Sequence, residues 1–237
     1  MIPGIFITAT GTDVGKTMMA AGILRRLRRT GENAMVMKPV QTGGVPDASG
    51  QLSAPDISTV LRMAEVTVDD ETLRLLSPCV YAPACSPHLA ARLAGRPVFL
   101  DAIAAAARQL STRYPFLVVE GAGGVMAPLN ETETMLDLAA RLAMPVVLVS
   151  HGGLGAINHV LLSLAALRSR SLPILGVILN ETQPVAEAAR FIHDDNACAI
   201  EALGHVRVLA RVPWLGMPPD LLRLDAALAT CDFRGGF

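Results

Sequence analysis

Gly15-Lys16-Thr17 is the stretch whose residue types and spacing point most directly to chemistry. In a phosphate-binding loop of the form G-x-x-x-x-G-K-T, backbone N–H groups and the lysine surround phosphate oxygens, and the threonine hydroxyl can ligate Mg²⁺. Thr10 replaces the first glycine of that pattern, but Gly11 and Gly15 still let the backbone turn or approach a phosphate closely. The sequence therefore predicts a variant phosphate-binding loop, with a glycine-rich turn that holds no nucleotide as the alternative.

Polar residues that follow apolar runs are the next candidates. Glu120, Ser150 and Asn180 each end such a run, and open α/β sheets bind ligands outside the carboxyl ends of their strands. Glu120 follows "FLVV" and would be costly to bury without a cation or hydrogen bonds. Lys38 also ends a run and could enter the same crevice, although a surface lysine is the ordinary alternative. Asp13 indicates a cationic partner, because a carboxylate beside a polyphosphate is otherwise repelled.

The elements that must position these residues follow from the pattern of apolar residues. Runs rich in Val, Ile and Leu alternate with helix-length segments, which predicts an α/β fold with a mostly parallel central sheet and helices on both faces. Strands are expected at 4–10, 34–40, 116–120, 145–150, 174–179 and 206–211. Helices are expected at 16–30, 101–112, 134–142, 155–170, 184–203 and 220–230. The phosphate-binding loop thus lies between the first strand and the first helix.

Local signals refine this prediction. Asp101 and Thr134 are expected to cap the helices that begin near them. Residues 41–55 are dense in Gly, Pro, Ser and Asp and are expected to form a loop. No internal repeat or domain linker interrupts the pattern, so residues 1–237 are expected to form a single domain.

Composition restricts the classes of partner. Of the 237 residues, 51% are apolar and only 17% charged, which predicts a large core and some apolar surface hidden between subunits. Twenty basic and twenty-one acidic residues give a net charge of −1, so no global field favours nucleic acid or an anionic membrane. The cluster "RRLRR" at 25–29 is expected to be a solvated face near a helix C-terminus.

The absence of a recognisable targeting signal and the spacing of the cysteines predict a cytoplasmic protein. The chain shows no basic leader with a cleavage site and no apolar run of about eighteen residues, so export and membrane insertion are not expected. Cys79, Cys85, Cys198 and Cys231 form no C-x-x-C pair and no zinc-like spacing. They are predicted to be reduced, buried thiols.

Six further segments of the chain form a recognisable series. They are, in order, "TATGTDVGKT", "MKPVQTG", "APACSPHLAAR", "VVEGAGGVMAPLNETETMLDLA", "PVVLVSHGGLGAINHVLLSLAAL" and "GVILNE". The same order is found in dethiobiotin synthetases, and over roughly residues 4–220 the chain resembles that family. "EGAGG" followed by "PL", and "LGAINH" after a strand, are the more specific of these. Family loops usually read G-T-D-T-[ED]-V-G-K-T, so Ala9 and Gly11 depart from the pattern.

The resemblance implies a P-loop NTPase-like fold and a homodimeric, Mg²⁺-dependent enzyme that uses ATP. Such enzymes close the ureido ring of dethiobiotin from 7,8-diaminopelargonic acid and CO₂. An amine of the substrate captures CO₂ as a carbamate, the carbamate attacks the γ-phosphate, and the second amine displaces phosphate from the mixed anhydride. Positive charge around the γ-phosphate is therefore the main requirement of the site.

The same resemblance implies roles for particular residues. Lys16 and Lys38 are the expected catalytic residues, and His159 is expected to have a buried structural role. The ATP-binding residues are expected to be Thr12, Asp13, Val14, Gly15, Lys16, Thr17, Asn180, Pro213, Leu215 and Asp220. The substrate-binding residues are expected to be Lys38, Thr42, Gly121, Ala122, Gly123, Gly155, Ala156 and Asn158. The Mg²⁺ ligands are expected to be Thr17, Asp56 and Glu120, with a helix N-cap as the alternative role of Asp56.

Two other classes of protein share the nucleotide-binding fold. An amide-forming ligase of the cobyrinic acid synthetase type needs a glutaminase domain, for which this chain has neither the length nor a Cys-His nucleophile pair. A partitioning or division-site-positioning ATPase carries a second lysine five residues before the phosphate lysine, where this chain has Gly11. The sequence thus favours the dethiobiotin synthetase class over both alternatives.

Overall fold

Strands run through the whole length of the computed structural model, which describes residues 2–47 and 50–234. In these ranges the strands are β1 (Gly4–Ala9), β2 (Ala34–Met37), β3 (Val40–Thr42), β4 (Val45–Pro46), β5 (Leu52–Ser53), β6 (Cys79–Tyr81), β7 (Phe116–Glu120), β8 (Val146–His151), β9 (Ile174–Asn180) and β10 (Val208–Val212). Of these, six pair in parallel to form the central sheet, in the order β10-β9-β8-β1-β7-β2. The sheet matches the predicted alternation of strands and helices.

Most of the helices lie between strands of the central sheet, and the last one follows β10. Within the same ranges they are α1 (Lys16–Arg29), α2 (Pro55–Ala64), α3 (Asp70–Leu76), α4 (Pro87–Leu93), α5 (Leu100–Arg113), α6 (Met135–Leu142), α7 (Ala156–Ser169), α8 (Arg190–Gly204) and α9 (Leu221–Leu228). The connection through α1 moves along the sheet in one direction, from β1 to β2, and the connections through α7 and α8 move in the other. Because such crossovers are right-handed, α1 covers one face and α7 and α8 cover the other, which confirms the predicted layers.

The core lies on both faces of β1, β7 and β8. Every side chain from Leu117 to Val119 and from Val146 to Val149 is completely buried, and so are Phe6 and Ile7 of β1. Consecutive apolar residues are needed here because central parallel strands are covered on both sides. The carboxyl ends of these strands therefore meet at a single edge of the sheet.

Two of the predicted helix starts differ from the structure. Thr134 caps α6 in a capping box with Asp137, as predicted, but Asp101 does not cap α5. That helix begins at Leu100 with Phe99 at the N-cap position, and Asp101 lies in its first turn, where it pairs with Arg141. The helix predicted from residue 184 begins at Arg190, after a short 3₁₀ turn at Glu187–Ala189.

The segment 41–55, predicted to be a loop, contains short strands. β3 pairs in parallel with β6, and β4 pairs with β5 as an antiparallel hairpin; residues 48 and 49 lie outside the described ranges. The partner of β3 lies about forty residues further along the chain, which local glycine and proline content does not reveal. The pairing fixes the chain immediately after Lys38.

The four cysteines match their prediction only in part. All four cysteines are free thiols, but only Cys231 is buried, whereas Cys198 is exposed and Cys79 and Cys85 are half-buried. The prediction that all four are buried is therefore wrong.

In the part of the chain that the structure describes, no helix combines the length and the apolar character needed to cross a membrane.

The prediction that 25–29 is a solvated face holds for Arg28 and Arg29, which are exposed, but is wrong for Arg25. Its side chain is buried, and its Nε and Nη2 donate to the Asp225 carboxylate at 3.0 and 2.8 Å, while Nη1 donates to the carbonyl of Met63. The guanidinium therefore joins α1 to the end of α2 and to the middle of α9. An arginine with several fixed acceptors is satisfied without solvent, because its five N–H donors match such a fork.

Replacing Asp225 by asparagine is expected to reduce the free energy of unfolding at pH 7 by about 2–3 kcal/mol, because Arg25 is then left buried without its counter-charge. The hydrogen bond from Arg25, aided by the charges of Arg25 and Arg29, holds the pKa of the Asp225 carboxyl below its usual range. The ion pair thus stabilises the fold above the pKa of an unfolded aspartate and is lost as the pH falls through the folded pKa.

Urea unfolding at pH 7 and at pH 3 measures this effect. The difference between wild type and Asp225→Asn should shrink at the lower pH, and Asp195→Asn on the exposed side of α8 is the matched control. Equal stability of wild type and Asp225→Asn at pH 7 would show that the ion pair contributes nothing.

Candidate active site

A cavity of about 850 Å³ opens at the carboxyl edge of the sheet. The phosphate-binding loop forms one wall, and the segments after β2, β6 and β7 form the others. The residues that line it are Thr12, Asp13, Gly15, Lys16, Thr17, Lys38, Val40, Gln41, Thr42, Asp56, Ala84, Cys85, Ser86, Pro87, Glu120, Ala122, Gly123, Gly124 and Ala127. Most residues expected to handle phosphate, metal and carbamate therefore share this cavity.

The phosphate-binding loop has the backbone geometry that its sequence requires. Gly15 has φ +94° and precedes α1 directly, and Asp13 also lies in the left-handed region, with φ +58°. A Cβ at Gly15 would lie 2.2 Å from Nδ2 of Asn180, which in turn donates to the carbonyl of Val14 at 3.0 Å. Both the backbone conformation and the contact with β9 thus demand glycine at this position.

The variant position of the loop is explained by a neighbouring strand. Thr10 occupies the place of the usual first glycine, and its Oγ1 donates to Oγ of Ser150 at 3.1 Å. Ser150 is the last residue but one of β8 and is completely buried. Thr10 therefore anchors the start of the loop to β8 through a side-chain hydrogen bond that a glycine cannot make.

A cluster of charged and hydroxyl side chains lies in the cavity. Its members are Lys38, Glu120, Asp56 and Thr17. Nζ of Lys38 lies 2.6 Å from Oε1 of Glu120 and 2.7 Å from Oδ2 of Asp56. Oγ1 of Thr17 donates to the same Glu120 oxygen at 2.8 Å. Glu120 is 1% exposed and Lys38 4%, so the low-dielectric surroundings strengthen these interactions.

The pKa values of the two lysines are shifted in opposite directions. Burial alone would lower the pKa of Lys38, but the carboxylates of Glu120 and Asp56 outweigh it, so the pKa is raised and the ammonium stays charged. Lys16 is also buried, and burial together with the charge of Lys38 lowers its pKa to about 8. Nζ of Lys16 donates to the carbonyl of Gly11 at 2.8 Å, across the phosphate-binding loop. An anion in the loop would stabilise both positive charges.

The two carboxylate oxygens of Glu120 have different surroundings. Oε2 is buried and makes no hydrogen bond within the described part of the chain, whereas Oε1 contacts both Lys38 and Thr17. A buried carboxylate oxygen that lacks a donor is destabilising unless a cation or a ligand satisfies it. Among the described residues no group of three His, Cys, Asp or Glu side chains could hold a metal by itself. Two carboxylates and a hydroxyl nevertheless fit Mg²⁺, which commonly completes its shell with phosphate oxygens and water.

The turn after Glu120 packs directly on the phosphate-binding loop. The N–H of Gly121 donates to the carbonyl of Ile7 at 2.8 Å. A Cβ at Gly124 would lie 3.3–3.4 Å from backbone atoms of residues 9–11. Gly123 has φ +67° and lines the cavity beside Ala122. These glycines bring the turn after β7 close to the phosphate-binding loop, so its backbone borders the cavity.

Several residues assigned by resemblance lie away from the cavity wall. Gly155 and Asn158 are exposed at the start of α7, and Ala156 is buried there. His159 is exposed, so its predicted buried role is wrong. The remaining residues that do not line the cavity, all assigned to nucleotide or substrate binding, are Val14, Asn180, Pro213, Leu215, Asp220 and Gly121.

Asp220 has a structural task of its own. Its carboxylate accepts hydrogen bonds from the N–H groups of Leu222 and Arg223 and so caps α9. Asp56, by contrast, does not cap α2, because Ala54 occupies the N-cap position and Asp56 lies in the first turn. The carboxylate of Asp56 is therefore free to face Lys38.

Some cavity residues were not assigned in advance. Gln41 is buried, and its Oε1 accepts a hydrogen bond from the N–H of Asp56 at 3.4 Å, which helps to place that carboxylate. Residues 84–87 also line the cavity. Their segment, "ACSP", stands out in the sequence only through the resemblance, because it contains no residue type that by itself indicates phosphate chemistry.

The fold and the cavity define a class: proteins built on the P-loop NTPase fold, with a phosphate-binding loop between the first strand and the first helix. A solved ParA family ATPase from Chlorobium tepidum shares this fold, with a TM-score of 0.58 and 15% identity over 95% of this chain and 96% of that one. A family model described as an AAA domain matches residues 3–217.

Curated relatives narrow the class. An ATP-dependent dethiobiotin synthetase of Anaeromyxobacter dehalogenans is 40% identical over 96% of this chain and 96% of its own length. Another, from Chromohalobacter salexigens, is 39% identical over 97% of this chain and 92% of its own. The chain therefore belongs to the dethiobiotin synthetase family, which confirms the resemblance and the expected class of ATP-dependent ligase.

Proposed function

We propose that this chain closes the ureido ring of dethiobiotin from 7,8-diaminopelargonic acid, CO₂ and ATP. The observation that supports this reaction best is the cluster of Lys38, Glu120, Asp56 and Thr17 facing the phosphate-binding loop across one cavity. Phosphoryl transfer relies on positioning and on positive charge near the transferred group, and two lysines are available at that place.

The reaction begins when an amine of the substrate adds to CO₂ and loses a proton, giving a carbamate. A carbamate oxygen then attacks the γ-phosphorus, and the bond to the β–γ bridging oxygen breaks to release ADP. The second amine attacks the carbonyl carbon of the resulting mixed anhydride, and phosphate departs with the oxygen that came from the carbamate. Lys38 and Lys16 stabilise the negative charge that develops in the second step, and Thr42 helps to hold the carbamate.

Mg²⁺ would be held by Thr17, Asp56 and Glu120, the last through its unpartnered Oε2. When bound, the ion neutralises charge on the β- and γ-phosphates. Lys38 already pairs with Glu120 and Asp56, so these carboxylates also hold its ammonium toward the cavity. The same side chains thus serve the metal and the catalytic lysine.

ATP is proposed to lie along the phosphate-binding loop, with the backbone N–H groups of residues 12–17 around its phosphates. Asn180 would contact the adenine, since a carboxamide offers both a donor and an acceptor to the edge of the base. Its Nδ2 also donates to Val14, so the residue would connect the base site to the loop. Pro213, Leu215 and Asp220 would complete the nucleotide site.

The proposed assembly is a homodimer in the cytoplasm. Leu162 and Met126, both more than half exposed, line a shallow depression of about 320 Å³ beside the phosphate-binding loop. Leu154, immediately before α7, is 90% exposed. Exposed apolar side chains clustered beside a site suggest a protein interface. A second copy would cover them, and its Gly155, Ala156 and Asn158 would cap the substrate carboxylate.

A coupled assay of ADP and phosphate release tests the proposal. Turnover is expected only when the diamine, bicarbonate and Mg²⁺ are all present, and mass spectrometry should detect the cyclic urea. Turnover that needs glutamine and a corrinoid, or ATP hydrolysis stimulated by DNA or lipid vesicles, would point to one of the alternative classes instead.

A further inference from the structure

Asn196 makes an unusual contact from α8. Its side chain is buried, and its Nδ2 donates to two consecutive backbone carbonyls, those of Gly152 and Gly153, at 2.9 Å each. These residues begin the loop 152–155, between β8 and α7. The side-chain amide therefore donates both of its hydrogens to backbone carbonyls of this loop.

The contact fixes the direction in which the loop presents its N–H groups. In a trans peptide unit the C=O and N–H point in opposite directions, so the N–H groups of Gly153 and Leu154 face away from Asn196. In the described ranges these two N–H groups, and that of Gly155, have no hydrogen-bond acceptor. The loop thus offers free donors immediately before the N-terminus of α7, where an anion is favoured.

α8 supports the loop at close range. A Cβ at Gly152 would lie 2.9 Å from Nδ1 of His193, so glycine there lets the loop pack closely against this side chain of α8. Gly155 has φ +89° and forms the N-cap of α7. The loop has few side chains that could hold it in place, and Asn196 supplies the hydrogen bonds that it lacks.

We infer that Asn196 is a positioning residue for the substrate's carboxylate. This inference rests on the proposed function, in which Gly155, Ala156 and Asn158 cap that carboxylate. Asn196 acts by holding the carbonyls of the loop toward α8, which turns the N–H groups toward the ligand. Because the cap reaches across the dimer, Asn196 of one subunit serves the active site of the other.

Steady-state kinetics of Asn196→Ala tests the inference. The KM for diaminopelargonate is expected to rise by about tenfold to thirtyfold, because a mobile loop must be ordered at each binding event. The KM for ATP and the kcat at saturating diamine should stay within about twofold, a split that general destabilisation of the fold would not produce. Asp195→Ala, the exposed neighbour on α8, is the matched control and should behave as wild type.

A diamine of the same chain that lacks the carboxylate makes the test specific. Wild type and Asn196→Ala should use this substrate with equal kcat/KM, because the interaction that the mutation disturbs is absent. If Asn196→Ala does not fold, Asn196→Ser, which keeps one donor, should show an intermediate KM for the normal substrate.

The outcomes separate the two hypotheses. A wild-type enzyme that makes no cyclic urea contradicts the proposed function. A wild-type enzyme that does so, combined with an Asn196→Ala variant of unchanged KM or with equal defects on both diamines, overturns the role of Asn196 alone.

Discussion

Replacing Lys38 by methionine is expected to lower kcat by about 10²–10³-fold, while ATP affinity stays within about threefold of wild type. Methionine keeps much of the length and volume of the side chain but removes the ammonium that Glu120 and Asp56 hold at the cavity. The charge is needed most when negative charge develops between carbamate and phosphate, so the loss should fall on chemistry rather than on nucleotide binding.

A control for this variant must separate the loss of activity from a loss of fold stability, because Lys38 is the counter-charge of the buried Glu120. Without Lys38 the buried carboxylate keeps Thr17 as its only side-chain partner among the described residues, and the fold is expected to lose stability. The double variant Lys38→Met, Glu120→Gln removes both charges and should recover stability but not activity. A Lys38→Met enzyme with the kcat of wild type would refute the catalytic role of the ammonium.

Lys16→Ala is expected to reduce kcat/KM for ATP by about 10³-fold or more, because the lysine is the charge closest to the phosphates in a loop of this type. In the structure its Nζ contacts the carbonyl of Gly11, and burial lowers its pKa to about 8. Phosphate oxygens would replace that carbonyl and favour the charged form.

Lys16→Arg is the informative comparison for this variant. It keeps the positive charge, but the planar guanidinium does not fit where a compact ammonium is enclosed, so most of the activity should still be lost. Kinetics of both variants, with circular dichroism spectra to confirm the fold, measures the effect. Substantial turnover by Lys16→Ala would place the phosphates elsewhere in the molecule.

The sequence predicted the architecture because the signals involved are local. β7 and β8 are runs of consecutive apolar residues, and only strands covered on both faces need that composition. The placement of Glu120 and Lys38 in the same cavity could be predicted because parallel strands end at one edge of the sheet. Thr17 was predicted as a site residue from the spacing of the phosphate-binding loop, and Asp56 from the resemblance to the family.

The features that were missed depend on partners far along the chain. Arg25 is buried because Asp225, two hundred residues away, provides its counter-charge. Thr10 could be recognised as a departure from the loop pattern, but its bond to Ser150 required the strand order. His159 was expected to be buried but lies exposed. The amphipathic pattern of α7 does not show which polar residues of its first turn face outward, so the sequence could not predict this exposure.

The most direct test of the proposed chemistry follows the oxygen that joins carbon to phosphorus. With CO₂ labelled by ¹⁸O, attack of a carbamate oxygen on the γ-phosphate followed by ring closure should leave one labelled oxygen in each released phosphate. Phosphate that carries no label from CO₂, or that takes an oxygen from labelled water instead, would show that ATP is hydrolysed rather than used to activate a carbamate.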